Sequence, residues 1–260
     1  MTPYVAAFRL QCYLSAMTVP DLPPLRLRRA ESVLMMRTSR VVLVLEHPWN
    51  DDNVLAVLRT AESFGVQNIW TVGESQGRRR AGRRITKGSH EWLTLREFAD
   101  SESLLRAVGE EGLTLWVSDL SSDSERLDSV DILRPMPDRI ALVLGREVDG
   151  VGPVLMQAAQ RRFYLPMRGF TESFNLSVAT ALLLQRLFDA DPGLIAAMSE
   201  AERAEIRESW YPRLGGRDER KQTRFIEYLA HPPAPLDDTR PPDEHRRPRF
   251  KKRAYWRRDE

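Results

Sequence analysis

Residues 142–152, Leu-Val-Leu-Gly-Arg-Glu-Val-Asp-Gly-Val-Gly, read as a buried strand that breaks at Gly145 into a turn punctuated by glycines. The strand itself extends over 140–144, and four runs of the same kind lie at 41–45, 68–72, 113–117 and 161–165. All are rich in Val, Ile, Leu and aromatic residues without strict alternation, as strands covered on both faces must be. Helix-like segments separate them, so the pattern predicts an α/β fold with a mostly parallel sheet flanked by helices.

The first of these helices is marked by Asn53 as its N-cap, by Val54, Leu58 and Ala61 at helical spacing, and by Gly65 as its terminator. The longest opens near Ser173 or Asn175 and runs through Val178, Ala181, Leu182 and Leu184 to about Asp189. It is apolar almost all round and is expected to be deeply buried. After Asp191 and Pro192 the composition turns to charged helical sequence, where Ser199 and Glu202 form a capping box ahead of Ile206 and Trp210. From His231 onward proline and charge replace aliphatics, which reads as a tail disordered when free. The expected organisation is an N-terminal extension (1–39), a main domain (40–190), a C-terminal helical extension (191–230) and a basic tail (231–260).

Composition narrows the function. A single cysteine, Cys12, excludes an internal disulfide framework and favours a reducing compartment, so the cytoplasm is expected. No run approaches the roughly 18 apolar residues that span a bilayer, so no membrane partner is expected. The net charge of +2 says little, but its distribution says more. Arg26, Arg28 and Arg29 form one basic cluster, Arg78, Arg79, Arg80, Arg83, Arg84 and Lys87 a second, and residues 246–258 a third. Such clusters fit a phosphate backbone, although a basic run also occurs as a solvated tail.

Several chemistries are disfavoured. Gly145, Gly150 and Gly152 follow a strand, but Val151 and Gly152 stand where a Walker loop needs Lys and Ser/Thr, and Leu155 stands where a dinucleotide fingerprint needs glycine. His47, His90, His231 and His245 have no metal-ligand spacing and there is no Cys-x-x-Cys, so no metal is expected. Ser173 and Ser177 lie outside any Gly-x-Ser-x-Gly elbow, which argues against a serine hydrolase.

Three segments remain: 53–65, following a buried strand; 142–152; and 165–182, Leu-Pro-Met-Arg-Gly-Phe-Thr-Glu-Ser-Phe-Asn-Leu-Ser-Val-Ala-Thr-Ala-Leu. In this order and spacing they resemble the three signature motifs of the SpoU/TrmH RNA ribose 2′-O-methyltransferases of the SPOUT superfamily. The resemblance covers roughly residues 40 to 190 and implies a SPOUT fold whose C-terminal part threads a trefoil knot, an exception to ordinary connection rules. It also implies S-adenosyl-L-methionine as methyl donor, held in the knot by loops that map onto Gly145, Leu165 and Phe174, with Ser118, Met167 and Leu176 bordering the same pocket. An apolar slot suits adenine, and a glycine permits close approach. The same motifs point to Arg59, Asn53, Glu147, Ser173 and Asn175 as the catalytic polar groups. A guanidinium of pKa above about 12 is a poor base, so Arg59 is expected to steer ribose and phosphate and to stabilise the developing alkoxide. Arg59 would otherwise read as a solvated helix residue, and Asn53 as a plain cap. Arg146 departs from the family pattern, where a small or amide residue is usual, and Phe174 replaces a leucine.

Within the family, Lys87-Gly88-Ser89-His90-Glu91-Trp92 resembles a Gly-Ser-His-Lys-Trp segment of the tRNA-specific members that methylate guanosine 18 of the D-loop, with Glu91 in place of lysine. The helix near Trp210 resembles their C-terminal helix. A folded tRNA is therefore the expected partner, and the resemblance also implies a homodimer in which Arg59 completes the partner's site. A ribosomal RNA methyltransferase is the nearest alternative, though only about forty residues precede the first strand, too few for a separate N-terminal domain. A catalytically silent RNA-binding protein is the alternative of another class.

Overall fold

The computed structural model describes residues 23–48, 51–73, 88–146 and 149–237. The basic runs at 78–87 and 246–258, Glu147 and Cys12 lie outside the described residues. The chain passes from α1 (Leu25–Leu34) into β1 (Thr38–Glu46), α2 (Asp51–Ser63) and β2 (Val66–Val72). A 3-10 turn at Ser89–Trp92 leads to β3 (Thr94–Phe98), α3 (Ser101–Glu110), β4 (Thr114–Ser118) and a short β5 (Glu125–Arg126). Next come β6 (Ile140–Leu144), α4 (Pro153–Ala158) and β7 (Arg161–Tyr164), then α5 (Leu176–Ala190), α6 (Glu200–Leu214) and α7 (Glu219–Glu227).

The strands form one seven-stranded sheet in the order β3-β2-β1-β6-β4-β7-β5, and every pairing is parallel. Parallel neighbours need crossover connections, which place helices on both faces and bury the central strands. Alternate residues of β1 go to opposite cores. Val41, Leu43 and Leu45 pack with Val54, Leu58 and Ala61 of α2 and with Leu183, Leu184 and Leu187 of α5. Val42 and Val44 pack with Leu104, Ala107 and Val108 of α3 and with Leu155 of α4.

All five predicted strands are present, with small differences at their ends. The patterning missed β3 and β5. Both are edge strands, and an edge facing water carries polar residues that hide the apolar signal. In β3 the exposed Arg96 lies over the rings of Trp70 and Phe98, at 5.1 and 4.7 Å. Two helix expectations are corrected. Helix α2 begins at Asp51, so Asn53 sits within its first turn rather than capping it. Helix α5 is not deeply buried all round: Leu183, Leu184 and Leu187 are covered, but Val178 and Leu182 on the opposite face are 45% and 40% exposed. That face has no covering element among the described residues. Its N-cap is Asn175, whose side chain accepts from the Ser177 backbone N–H.

Helices α1, α6 and α7 form a separate layer beside the sheet. The Ser199–Glu202 capping box is present at the start of α6. Buried Arg207 of α6 forks onto buried Glu31 of α1, with Nη2 at 2.8 Å and Nε at 2.9 Å, and the Tyr211 hydroxyl donates to the same carboxylate at 2.6 Å. Burial, then the Glu31 carboxylate, pushes the Tyr211 hydroxyl pKa up. Trp92, from the 3-10 turn, meets Trp210 edge-on at 5.4 Å between ring centroids. The segment just past His231 packs against α1: Arg28 donates to the carbonyls of Ala234 and Pro235, and Leu236 N–H donates to the Ser32 hydroxyl.

Candidate active site

Ser118, Leu144 and Tyr164 are the last residues of β4, β6 and β7, three neighbours in the sheet. In an open parallel sheet the loops leaving the carboxyl ends of such strands enclose the ligand crevice. Here they enclose a cavity of about 370 Å³, closed on its fourth side by the N-terminus of α5. Its walls include all six residues expected to hold the methyl donor: Ser118, Gly145, Leu165, Met167, Phe174 and Leu176. Leu144, Leu165 and Leu176 are buried and supply an apolar slot, while Phe174 is 36% exposed at the mouth.

Gly145 also meets a local steric demand. A Cβ there would stand 2.1 Å from the Gly150 carbonyl carbon and 2.4 Å from the Val151 nitrogen. Arg146 and Gly150 exchange both backbone hydrogen bonds, each at 3.0 Å, as an antiparallel bridge. The close approach of Gly150 and Val151 thus requires a glycine here. Arg146 lines the cavity with its guanidinium 3.1 Å from the Asp149 carboxylate, so much of its charge is balanced locally.

Sequence reasoning missed two acidic residues. Asp119 lines the cavity immediately after β4, its Oδ2 accepting from the Ser121 N–H at 2.9 Å and the Ser124 hydroxyl at 3.2 Å. The signal available was its place beside Ser118 at a strand end. Glu46, 4% exposed at the end of β1, accepts from the Ser101 hydroxyl and the Gly152 N–H, both at 2.6 Å. This carboxylate ties the starts of α3 and α4 to the sheet and occupies the N-terminus of α4, where a phosphate-binding reading of the glycines would place an anion.

Of the expected catalytic residues, Ser173 lines the cavity. Asn175 donates from Nδ2 to Asn53 Oδ1 at 3.0 Å, while its own Oδ1 caps α5 through the Ser177 N–H at 3.0 Å and hydroxyl at 2.7 Å. The two asparagines thereby join the first turn of α2 to the first turn of α5. Arg59 stands apart. It is exposed, and six residues beyond Asn53 place it roughly 120° around the helix and about 9 Å along it. Glu147 lies outside the described residues.

Comparison with known proteins gives this geometry a family. The model of the SpoU rRNA Methylase family matches residues 40–185, and the chain belongs to that family of methyltransferases. It is 28% identical over 207 residues to the tRNA (guanosine(18)-2′-O)-methyltransferase of Borreliella burgdorferi, covering 78% of this chain and 89% of that protein. Among solved structures, the A. aeolicus TrmH/SpoU tRNA modifying enzyme superposes with a TM-score of 0.63 at 26% identity, covering 71% of this chain and 94% of that one. An AdoMet-bound rRNA methyltransferase from Sinorhizobium meliloti shares the fold at a TM-score of 0.50 and 21% identity, over 65% and 61% of the two chains.

Proposed function

We propose that this protein transfers a methyl group from S-adenosyl-L-methionine to the ribose 2′-hydroxyl of guanosine 18 in tRNA. The observation that carries the proposal is one cavity at the ends of β4, β6 and β7, walled by Gly145 of the second motif, by Leu165, Met167, Phe174 and Leu176 of the third, and by Ser118. The cavity fits the donor in kind: its volume lies in the range of small-ligand sites, the Leu144, Leu165 and Leu176 slot suits adenine, and Asp119 places a negative charge where a cationic donor needs one. When bound, S-adenosyl-L-methionine supplies a methyl group on a sulfonium, which departs without being protonated.

The chain's own task is then to align the ribose oxygen and to offset the charge that grows on it as its proton leaves. Alignment alone supplies several kcal/mol. Ser173 at the cavity and the Asn53–Asn175 pair are placed to set the ribose, and Arg59 stabilises the alkoxide and its neighbouring phosphate. Glu147 belongs to the same polar set by family resemblance. The position of Arg59, away from this chain's own cavity, favours its completing the site of a second subunit. The exposed Val178 and Leu182 face of α5 supports the same homodimer, since contiguous apolar surface calls for a partner. Family membership further supports a trefoil knot around the donor, formed where the 165–175 segment runs beside the loops after β4 and β6. The single cysteine and a tRNA substrate favour a cytoplasmic setting.

Incubation with methyl-labelled donor and separate pools of unmodified tRNA and ribosomal RNA tests the reading. Label is expected in tRNA. Label in ribosomal RNA alone would transfer the assignment to the rRNA branch, and donor binding without label in either pool would leave a silent RNA-binding protein.

A further inference from the structure

A second cavity, of about 420 Å³, lies away from the donor site, where α1, α6 and the 3-10 turn at Ser89–Trp92 converge. Its mouth carries Arg26, Arg29 and Arg213, and its interior is formed by Trp92, Trp210 and Glu62. Arg26 is partly committed, donating to the Leu214 carbonyl at 3.1 Å. Arg29 and Arg213 are exposed, and among the described residues neither has a carboxylate within ion-pairing reach. Inside, Trp210 is 3% exposed and locked between the Trp92 ring and the Arg37 guanidinium, whereas Trp92 is only half-buried. Glu62 gives one carboxylate oxygen to Arg37 at 2.9 Å and is 26% exposed, which leaves acceptor capacity toward the cleft.

The combination is specific: guanidinium groups at the rim, an indole in the wall and a carboxylate beyond it. Phosphate attracts the first, a splayed-out base stacks on or beside the second, and a base N–H donates to the third. Single-stranded RNA presents these three groups together, and a paired helix does not. Resting on the proposed RNA methylation, we infer that this cleft seats an unpaired nucleotide of the substrate RNA other than the one methylated, with its phosphate on Arg29 and Arg213 and its base against Trp92. The cleft also explains why the turn ending in Trp92 and the helix carrying Trp210 belong together: the edge-on contact of the two rings holds the indole of Trp92 in the cleft wall.

The test uses the full chain. Arg29→Ala/Arg213→Ala is compared with the parent and with Arg106→Ala, which removes one charge from α3 on the opposite face of the sheet. Binding is measured to tRNA, to an unstructured RNA and to a blunt RNA duplex across a salt series. The double variant is expected to lose roughly tenfold in affinity for tRNA and for the unstructured RNA, with the log-affinity against log-salt slope falling by about two. Duplex affinity and donor affinity stay within about twofold, and Arg106→Ala stays near the parent throughout. Equal losses on the duplex would overturn the seating of an unpaired nucleotide, and unchanged affinity for every RNA would overturn the site. A parent protein that binds tRNA but never methylates it would defeat the proposed reaction while leaving the binding comparison intact.

Discussion

Arg59 and Gly145 stand at opposite ends of the proposed chemistry, one offsetting charge and the other shaping the wall. Arg59→Ala is expected to keep donor affinity while lowering methyl transfer by about 100-fold or more, the scale of losing one electrostatic contact to a developing oxyanion. Single-turnover rates with labelled donor check it, and a rate within a few-fold of the parent would remove Arg59 from the reaction. Gly145→Ala should act differently. Its new methyl group collides with the backbone of Gly150 and Val151, so that backbone must shift. Donor affinity is expected to fall at least about tenfold, because binding then has to reverse a backbone shift. Isothermal titration with the donor decides; affinity equal to the parent would mean that the turn tolerates the change.

At the scale of elements, the sequence revealed what was buried and concealed what was exposed. The run at 140–144 matches β6 to the residue because every position in it is covered. The edge strands β3 and β5 gave no such signal, since Thr94, Arg96 and Glu97 face water. The motifs singled out Asn53 and Asn175 as candidates, and only the structure shows that one bonds to the other and that Asn175 holds the cap. Asp119 and Glu46 escaped notice because a carboxylate at a strand end has no periodicity of its own. The layer of α1 and α6 was read as two unconnected extensions. It is joined through the buried Arg207–Glu31 pair, so Arg207→Met, which leaves the Glu31 carboxylate buried without its cation and with only the Tyr211 hydroxyl as donor, is expected to destabilise the protein by about 3 kcal/mol. Thermal or denaturant unfolding measures this, and a change below about 0.5 kcal/mol would show that the pair does not hold the layer.

For the whole molecule, the two proposals assign two surfaces to one RNA: the strand-end cavity for the reaction and the arginine-rimmed cleft beside α1 and α6. Residues 231–237 pack against α1, so a truncation that probes the basic tail must begin after Asp237. Removing residues 238–260 is expected to weaken tRNA binding in a salt-sensitive way with donor affinity unchanged. Filter binding at two salt concentrations reads it out, and equal tRNA affinity at low salt would exclude the tail from this partner. The proposed knot and homodimer rest on family likeness, joined for the dimer by the exposed Val178 and Leu182 face, because neither threading nor symmetry leaves a local pattern in the residues. The most direct test of the central claim is to map the modified nucleotide after reaction of the purified protein with S-adenosyl-L-methionine and an unmodified tRNA transcript. A single 2′-O-methylated guanosine at position 18 is the expected result, and methylation at another site, on a base, or not at all would contradict it.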